Sequence, residues 1–254
     1  VKIVTWNVNS IRARLEIFLQ WLANESPDVV LLQEIKCLEA QFPKSEIEDF
    51  GYNILIFGQK TYNGVAILSK YPIEDITKGI PNFEDASSRY IECFSNGVRL
   101  ASVYVPNGQE VDSKQFFYKL DFLDALKNHW QNILLNNELC VFGGDFNITP
   151  TDFDVYDPIK WHEKTLCTSR ERSKFQDLLN LGLQDILPKF QKEQTYTWWD
   201  YRGGSFWKNF GLRIDHLLVN SYSGEVVLKS GTHKNVRGLE KTSDHCPVWC
   251  VLKE

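Results

Sequence analysis

The stretch "ELCVFGGDFN", residues 138–147, runs from an apolar segment straight into two glycines, a carboxylate and a carboxamide. A strand followed by an ordinary turn accounts for it, because Gly, Asp and Asn are common turn formers. A strand that delivers Asp145 and Asn147 to a reactive rim accounts for it too. On that second reading Gly143 and Gly144 let the backbone turn tightly, so that both polar side chains face the rim. The choice depends on whether other strands end in the same way.

They do. "KIVTWNVN" carries Asn7 and Asn9 at the end of a first strand, and "DVVLLQE" is a short apolar run ending in Glu34. "VRLASVYVPNG" puts Tyr104 and Asn107 near a strand end, and "LRIDHLLVN" carries Asp215. "TSDHCPV" sets Asp244 and His245 just before the last clear strand, "CPVWCVL". "YNILIFG", "GVAILSK" and "RYIECFS" are further strands divided by turn residues. Helices are fewer. "SIRARLEIFLQWLANESP" offers Ser10 as N-cap, Ile11, Leu15, Phe18 and Leu22 at helical spacing, and Pro27 as a stop. The longest helix, within "VDSKQFFYKLDFLDALKNHWQNILLN", sets Phe117, Leu120, Leu123, Leu126 and Trp130 near one face, and "SKFQDLLNLGL" is a third. Many apolar strands with few helices predict an α/β layered protein, two sheets packed together with helices outside. Trp and Phe are spread over the whole length and no linker interrupts them, so one domain over residues 1–254 is expected.

The bulk numbers narrow the function. A net charge of −5 argues against a protein that coats nucleic acid non-specifically, which needs Lys and Arg to neutralise phosphates. It leaves room for an enzyme acting on nucleic acid, since net charge does not give the distribution of charge. No apolar run approaches the ~18 residues of a membrane span. The opening "VKIVTWNVNS" has no signal-peptide core, and a cytoplasmic protein is expected. The six cysteines are scattered without zinc-ribbon spacing and read as reduced thiols. There is no Walker A loop, no G-x-S-x-G and no H-E-x-x-H.

What remains at the strand ends is a set of carboxylates, carboxamides, one phenol and one imidazole. Oxygen ligands such as Glu34 and Asp145 suit a hard cation, Mg²⁺ or Mn²⁺, better than zinc. Several acids round one site would repel each other and a phosphate substrate without such an ion. His245 has a distant Asp to pair with, which would fix its tautomer. Neutral Asn and Tyr donors suit phosphate oxygens without adding charge. The composite is a metal-assisted phosphodiester or phosphomonoester hydrolase.

"TWNVNSIRAR", "DVVLLQEIKC", "YNGVAILSK", "VYVPNG", "GGDFNITP", "TWWDYRGG", "GLRIDHLLV" and "SDHCPV" occur in this order over essentially the whole chain. With them the sequence closely resembles the exonuclease III family of apurinic/apyrimidinic endonucleases, bacterial type, within the wider endonuclease/exonuclease/phosphatase group. "GGDFN" and "SDH" alone mark only the wider group. The resemblance implies a DNase I-like four-layer α/β sandwich, two mainly antiparallel or mixed sheets flanked by helices. It implies hydrolysis 5′ to an abasic site in double-stranded DNA with Mg²⁺, for which Mn²⁺ substitutes. The products are a 3′-hydroxyl and a 5′-deoxyribose phosphate; 3′-phosphodiesterase and 3′→5′ exonuclease activity on blocked 3′ ends are companion activities of the family, and a monomer is the family expectation.

Position by position, the resemblance makes Glu34 the principal metal ligand, helped by Asn7 and Asn9, with Asp244 near the metal. Asp145 would orient or deprotonate the attacking water and Asn147 would hold that water or a phosphate oxygen. His245 would donate to the scissile phosphate with Asp215 orienting its ring, and Tyr104 would touch the phosphate or the leaving oxygen. Trp198 and Leu212 match positions that wall the pocket for a flipped-out sugar, with Trp199 the alternative aromatic wall. Lys36 would balance the acids. Arg12, Asn63 and Arg89 fall where the family approaches the DNA backbone, although a solvated surface charge explains Arg12 as well. A phosphatase of the same wider group is the nearest rival, and a binding module that has lost catalysis is the more distant one.

Overall fold

Side-chain alternation along the central strands sorts the layers. In the computed structural model, which describes residues 1–220 and 226–253, Ile3, Thr5 and Asn7 face one way from the first strand, and Val4 and Trp6 the other. In chain order the elements are β1 (Lys2–Asn7), α1 (Leu15–Glu25), β2 (Val29–Gln33), α2 (Lys44–Glu48), β3 (Asn53–Phe57), β4 (Val65–Ser69), β5 (Glu74–Lys78), β6 (Tyr90–Ser95) and β7 (Val98–Tyr104). Then come α3 (Lys114–Leu134), β8 (Leu139–Asp145), α4 (Pro158–Trp161), α5 (Ser169–Leu179), β9 (Leu183–Asp185), α6 (Leu187–Phe190), β10 (Asp215–Asn220), β11 (Val227–Thr232), α7 (Lys234–Arg237) and β12 (Val248–Leu252).

The described residues form two six-stranded sheets, ordered β11-β12-β1-β2-β4-β3 and β5-β6-β7-β8-β10-β9. Each is antiparallel except for one parallel pair at its centre, β1 with β2 and β7 with β8. Parallel neighbours need a crossover, and α1 and α3 supply the two. Ile3, Leu31, Ile67, Leu100, Val141 and Leu217 fill the layer between the sheets. Trp6, Phe18, Trp21 and Leu22 seal α1 onto the outer face of the first sheet. Leu126, Trp130, Phe142 and Phe175 do the same for α3 and α5 on the second. This is the four-layer sandwich expected from the sequence.

Four local expectations change. Gly143 and Gly144 are not turn residues; they lie inside β8. Their lack of a side chain is required by space. A Cβ on Gly143 would sit 2.7 Å from both Leu217 Cδ2 and Leu31 Cδ1, and one on Gly144 would sit 1.9 Å from the Val103 carbonyl oxygen. The turn is made beyond the strand, at Asn147, with φ of +51°. Helix α1 begins at Leu15 instead of Ser10, because Ser10 and Ile11 are still pairing as an extension of β1, donating their amides to the Glu34 and Ile35 carbonyls at 2.7 and 3.3 Å. In α3 Phe117 points outward, and the buried stripe is Phe116, Lys119, Phe122, Leu123, Leu126 and Trp130. Finally, β5, β9 and β11 were not legible; all three are edge strands, which bury little and carry a weak apolar pattern.

Candidate active site

The two parallel pairs bring their C-terminal ends to one rim. Asn7 ends β1 and Glu34 follows β2 directly; Tyr104 ends β7 and Asp145 ends β8. Tyr104 and Asp145 are register partners, and Asp145 is also paired across to Asp215 of β10. Because β1 packs over β8, the two rims meet. The Asn7 amide nitrogen donates to Glu34 Oε1 at 2.8 Å and to Asp145 Oδ2 at 2.9 Å. One carboxamide thus ties a carboxylate of one sheet to a carboxylate of the other. Below the rim Gln33, fully buried, does similar work, donating to Thr5 Oγ1 at 3.0 Å and Ser102 Oγ at 2.9 Å.

The third party arrives from the loop before β12. Ser243 Oγ donates to the Asn7 carbonyl at 2.6 Å and accepts from the His245 amide at 3.2 Å, which aims the imidazole inward. His245 Nδ1 lies 2.9 Å from Asp215 Oδ2, and its Nε2 lies 3.7 Å from Asp145 Oδ2. Ligand-type atoms of Glu34, Asp145 and His245 all fall within 4.8 Å of one another. This keeps Asp145 well within reach of a cation shared with Glu34. Glu34 itself adopts φ of +51°, an uncommon conformation for a residue with a side chain, held by the Ser10 amide on its carbonyl.

Electrostatics separates the two acids. Burial works against ionised Glu34, but Lys36 at 2.8 Å and the Asn7 amide hold its carboxyl below the ordinary value. Burial, and then the carboxylates of Asp215 and Glu34, push Asp145 up to about 7, with His245 and the Asn7 amide opposing the rise. Burial disfavours the charged His245 ring, yet Asp215 and Asp145 outweigh it and lift the imidazole to about 10. Burial and the charges of Glu34 and Asp145 also lift the Tyr104 phenol, which therefore keeps its proton. The donor set fits a hard divalent cation: carboxylate oxygens predominate, and crowded negative charge is part of what raises Asp145.

The other expected residues divide. Lys36 reaches both Glu34 and Asn9 Oδ1, the latter at 2.6 Å. Asn9 Nδ2 donates to Asp244 Oδ1 at 3.0 Å, and the Trp198 indole donates to Asp244 Oδ2 at 2.9 Å, so Asp244 is a half-buried link between rim and aromatic wall. Asn147 turns its amide nitrogen to the Val105 carbonyl at 3.0 Å and gives its backbone amide to Asp145 Oδ1 at 2.9 Å. Trp198 is half-buried at the rim whereas Trp199 is a core residue. Leu212 has no exposed surface; bridged to Trp198, it backs the wall from behind and does not line it. Arg89 stacks on the Tyr104 ring at 4.7 Å, and Asn63 is a turn residue whose carbonyl accepts from the Lys36 amide at 3.0 Å. Arg12 is exposed and forms no hydrogen bond or ion pair among the described residues. His216, on the face of β10 opposite Asp215, contacts Phe146 and Phe175 away from the rim.

Sequence reasoning missed Lys119. Its ammonium is fully buried, pairs with Glu171, and donates to the carbonyls of Asn107 and Asn147 at 3.1 and 2.6 Å. The available signal was a lysine three residues after Phe116 on the apolar stripe of α3.

The chain resembles known proteins over essentially its whole length. Residues 4–245 match the model of the endonuclease/exonuclease/phosphatase family. The chain is 32% identical to exodeoxyribonuclease III of Haemophilus influenzae, with 100% of both chains aligned. It superimposes on a 3′ phosphatase from Neisseria, solved with a product DNA hairpin, at a TM-score of 0.97 and 42% identity, covering 100% of this chain and 99% of that one. An AP endonuclease from Archaeoglobus fulgidus gives 0.96 and 33% identity, with both chains covered completely.

Proposed function

The chain belongs to the endonuclease/exonuclease/phosphatase family, and from that premise we propose that it is a DNA-repair hydrolase that cuts the phosphodiester 5′ to an abasic site in duplex DNA. The observation that carries the reading is the meeting of Glu34, Asp145 and His245, with Asp215 behind the imidazole and Asn7 joining the two acids. A nuclease needs a base for water, a donor for the phosphate and a place for a cation, and these groups supply all three.

Glu34 would hold Mg²⁺ or Mn²⁺, with Asn7 and Asp244 nearby. When bound, the cation supplies Lewis-acid relief of the phosphate charge. Asp145 takes the proton of the attacking water; a carboxyl lifted to about 7 is a better base near neutral pH than an ordinary aspartate. The raised imidazole of His245 keeps a proton on Nε2 and donates it as a hydrogen bond to a non-bridging phosphate oxygen. Asp215 holds Nδ1 and so fixes the ring. As the water oxygen bonds to phosphorus the bond from phosphorus to O3′ breaks, O3′ takes a proton from solvent water and Asp145 afterwards returns its proton to solvent, leaving a 3′-hydroxyl and a 5′-deoxyribose phosphate. Tyr104 and Asn147 lie beside the path of the phosphate and the leaving oxygen. Trp198 offers an aromatic wall to a sugar that lacks its base, which leaves the stack at little cost.

The relatives named above divide between 3′ ends and abasic sites. Both tasks are one phosphate hydrolysis at a rim of this type, so a 3′-phosphate or a 3′-terminal nucleotide is the second substrate class. The test uses duplex DNA with one stable abasic analogue beside a duplex with a 3′-phosphate, each in Mg²⁺ and in EDTA. Incision 5′ to the analogue, absent in EDTA and lost in Asp145→Ala and His245→Ala, is the expected result. Release of phosphate alone would move the protein to 3′-end work. Inactivity on both would point to the phosphatases of the family.

A further inference from the structure

Behind the rim, three consecutive backbone carbonyls of the loop after β8 are each held by a basic side chain. Lys119 Nζ donates to the Asn147 carbonyl at 2.6 Å, His216 Nε2 to that of Ile148 at 2.9 Å, and Arg172 Nε to that of Thr149 at 2.9 Å. The loop begins with the left-handed Asn147, two residues from Asp145. Lys119 also donates to the Asn107 carbonyl at 3.1 Å, and Asn107 Nδ2 reaches Asn147 Oδ1 at 3.3 Å. The ammonium therefore joins the loop that follows β7 to the loop that follows β8.

Its counterion is equally committed. Glu171 is fully buried; besides Lys119, its Oε1 accepts from the Leu166 amide at 3.0 Å, and its Oε2 accepts from the Thr168 amide at 3.0 Å and hydroxyl at 2.7 Å. A buried ion pair is a poor device for stability, since desolvation cancels much of the attraction and apolar replacements are often neutral or better. Lys119 stands on an otherwise apolar stripe of α3, where a leucine would pack without that cost. All of its donors are used, two of them on loops that carry rim residues.

We propose that Lys119 is a positioning residue for the hydrolysis: its ammonium, anchored on Glu171, fixes the Asn107 and Asn147 carbonyls and thereby the loop that orients Asp145. The inference rests on the hydrolase reading above. It acts through backbone, so it belongs to kcat and leaves DNA binding alone.

Lys119→Met should lower kcat for DNA cleavage by about 10–100-fold, as loss of an orienting partner does elsewhere, with KM within about twofold. Amide hydrogen exchange of the 146–149 segment should accelerate by at least about tenfold while that of β10 does not change. Leu126→Ala on the same helix controls for lost stability and should keep wild-type kcat. Should the methionine variant not fold, Lys119→Gln, which retains two donors without a buried charge, should show a smaller kcat loss in the same direction. Wild-type kcat in the folded Lys119 variant, an equal loss in Leu126→Ala, or unchanged exchange in 146–149 would each overturn the proposal. A wild-type protein that cleaves no DNA would defeat the hydrolase reading instead, and the exchange measurement would then decide the role of Lys119.

Discussion

The crossover unit β1–α1–β2 in one sheet and the unit β7–α3–β8 in the other are the same device with different settings. Each has a parallel pair, a helix sealed on its outer face and a carboxylate at the end of its second strand. In the first unit the carboxylate, Glu34, keeps some exposure and has Lys36 beside it, so it stays ionised below the usual carboxylate range. In the second, Asp145 is 1% exposed, has other acids for neighbours and is lifted to about 7. Environment alone separates two chemically similar acids, and the proposed mechanism uses the first as a ligand and the second as a base. The glycines follow the same division: Gly143 and Gly144 let β8 lie against β2, β7 and β10 where no side chain fits.

The largest effect expected is on the base. Asp145→Asn should cut kcat by about 10³-fold or more, since the water loses its proton acceptor. The same variant should be more stable than wild type in EDTA, by about 1 kcal/mol, because an expensive buried carboxyl is gone. A Tm in EDTA below that of wild type would show that burial does not strain Asp145 and would break the contrast. Glu34→Gln should instead act on the cation, raising the Mg²⁺ concentration for half-maximal activity by about 10–100-fold while kcat at saturation falls less. An unchanged Mg²⁺ requirement would remove Glu34 from the ligand role.

Gly143→Ala probes the packing side of the comparison. A methyl group 2.7 Å from two leucine carbons should cost near the top of the ~1–3 kcal/mol range for overpacking, seen as a lower urea midpoint with the same slope. A neutral result would mean that the sheets have room to separate. Outside the rim the second sheet buries Arg213 between Asp154 and Asp185, at 2.6 Å from each, whereas the Lys36–Glu34 pair of the first sheet is partly exposed. Burial opposes ionised Asp185, but Arg213 and His216 hold its carboxyl down at about 2, against 3.8 when unfolded. Its folded pKa is depressed, so its stabilisation is complete above the unfolded value and is lost as pH falls through the folded one. Between pH ~4 and ~2 the protein should lose about 2 kcal/mol on this account, a component absent from Asp185→Asn in denaturation curves taken across that window.

Strand ends were the legible part of this molecule. An apolar run that stops at Asn7, Glu34, Tyr104 or Asp145 announces both a buried strand and a polar terminus, and those runs are the central strands of the two sheets. The edge strands β5, β9 and β11 carried no such signal because most of their residues keep solvent exposure. Lys119 was hidden for the opposite reason. A lysine inside a helical sequence reads as solvated, and only its phase with Phe116 and Leu123 marks it as inward. The expected stripe was one residue out of phase at Phe117 and Leu120, which concealed Lys119, although Leu123, Leu126 and Trp130 are buried as expected.

The sequence by itself determined the central strands, the longer helices and the chemical types at the strand ends, because hydrophobic periodicity is a local property. The tertiary structure alone decided how the ends meet: that Asn7 of one sheet lies between Glu34 and Asp145, and that Leu212 stands behind Trp198. It also decided what the acids are. A carboxyl takes its proton affinity from burial and from charges that are distant in the chain, and Asp145 meets Glu34, Asp215 and His245 only after two sheets have closed on each other.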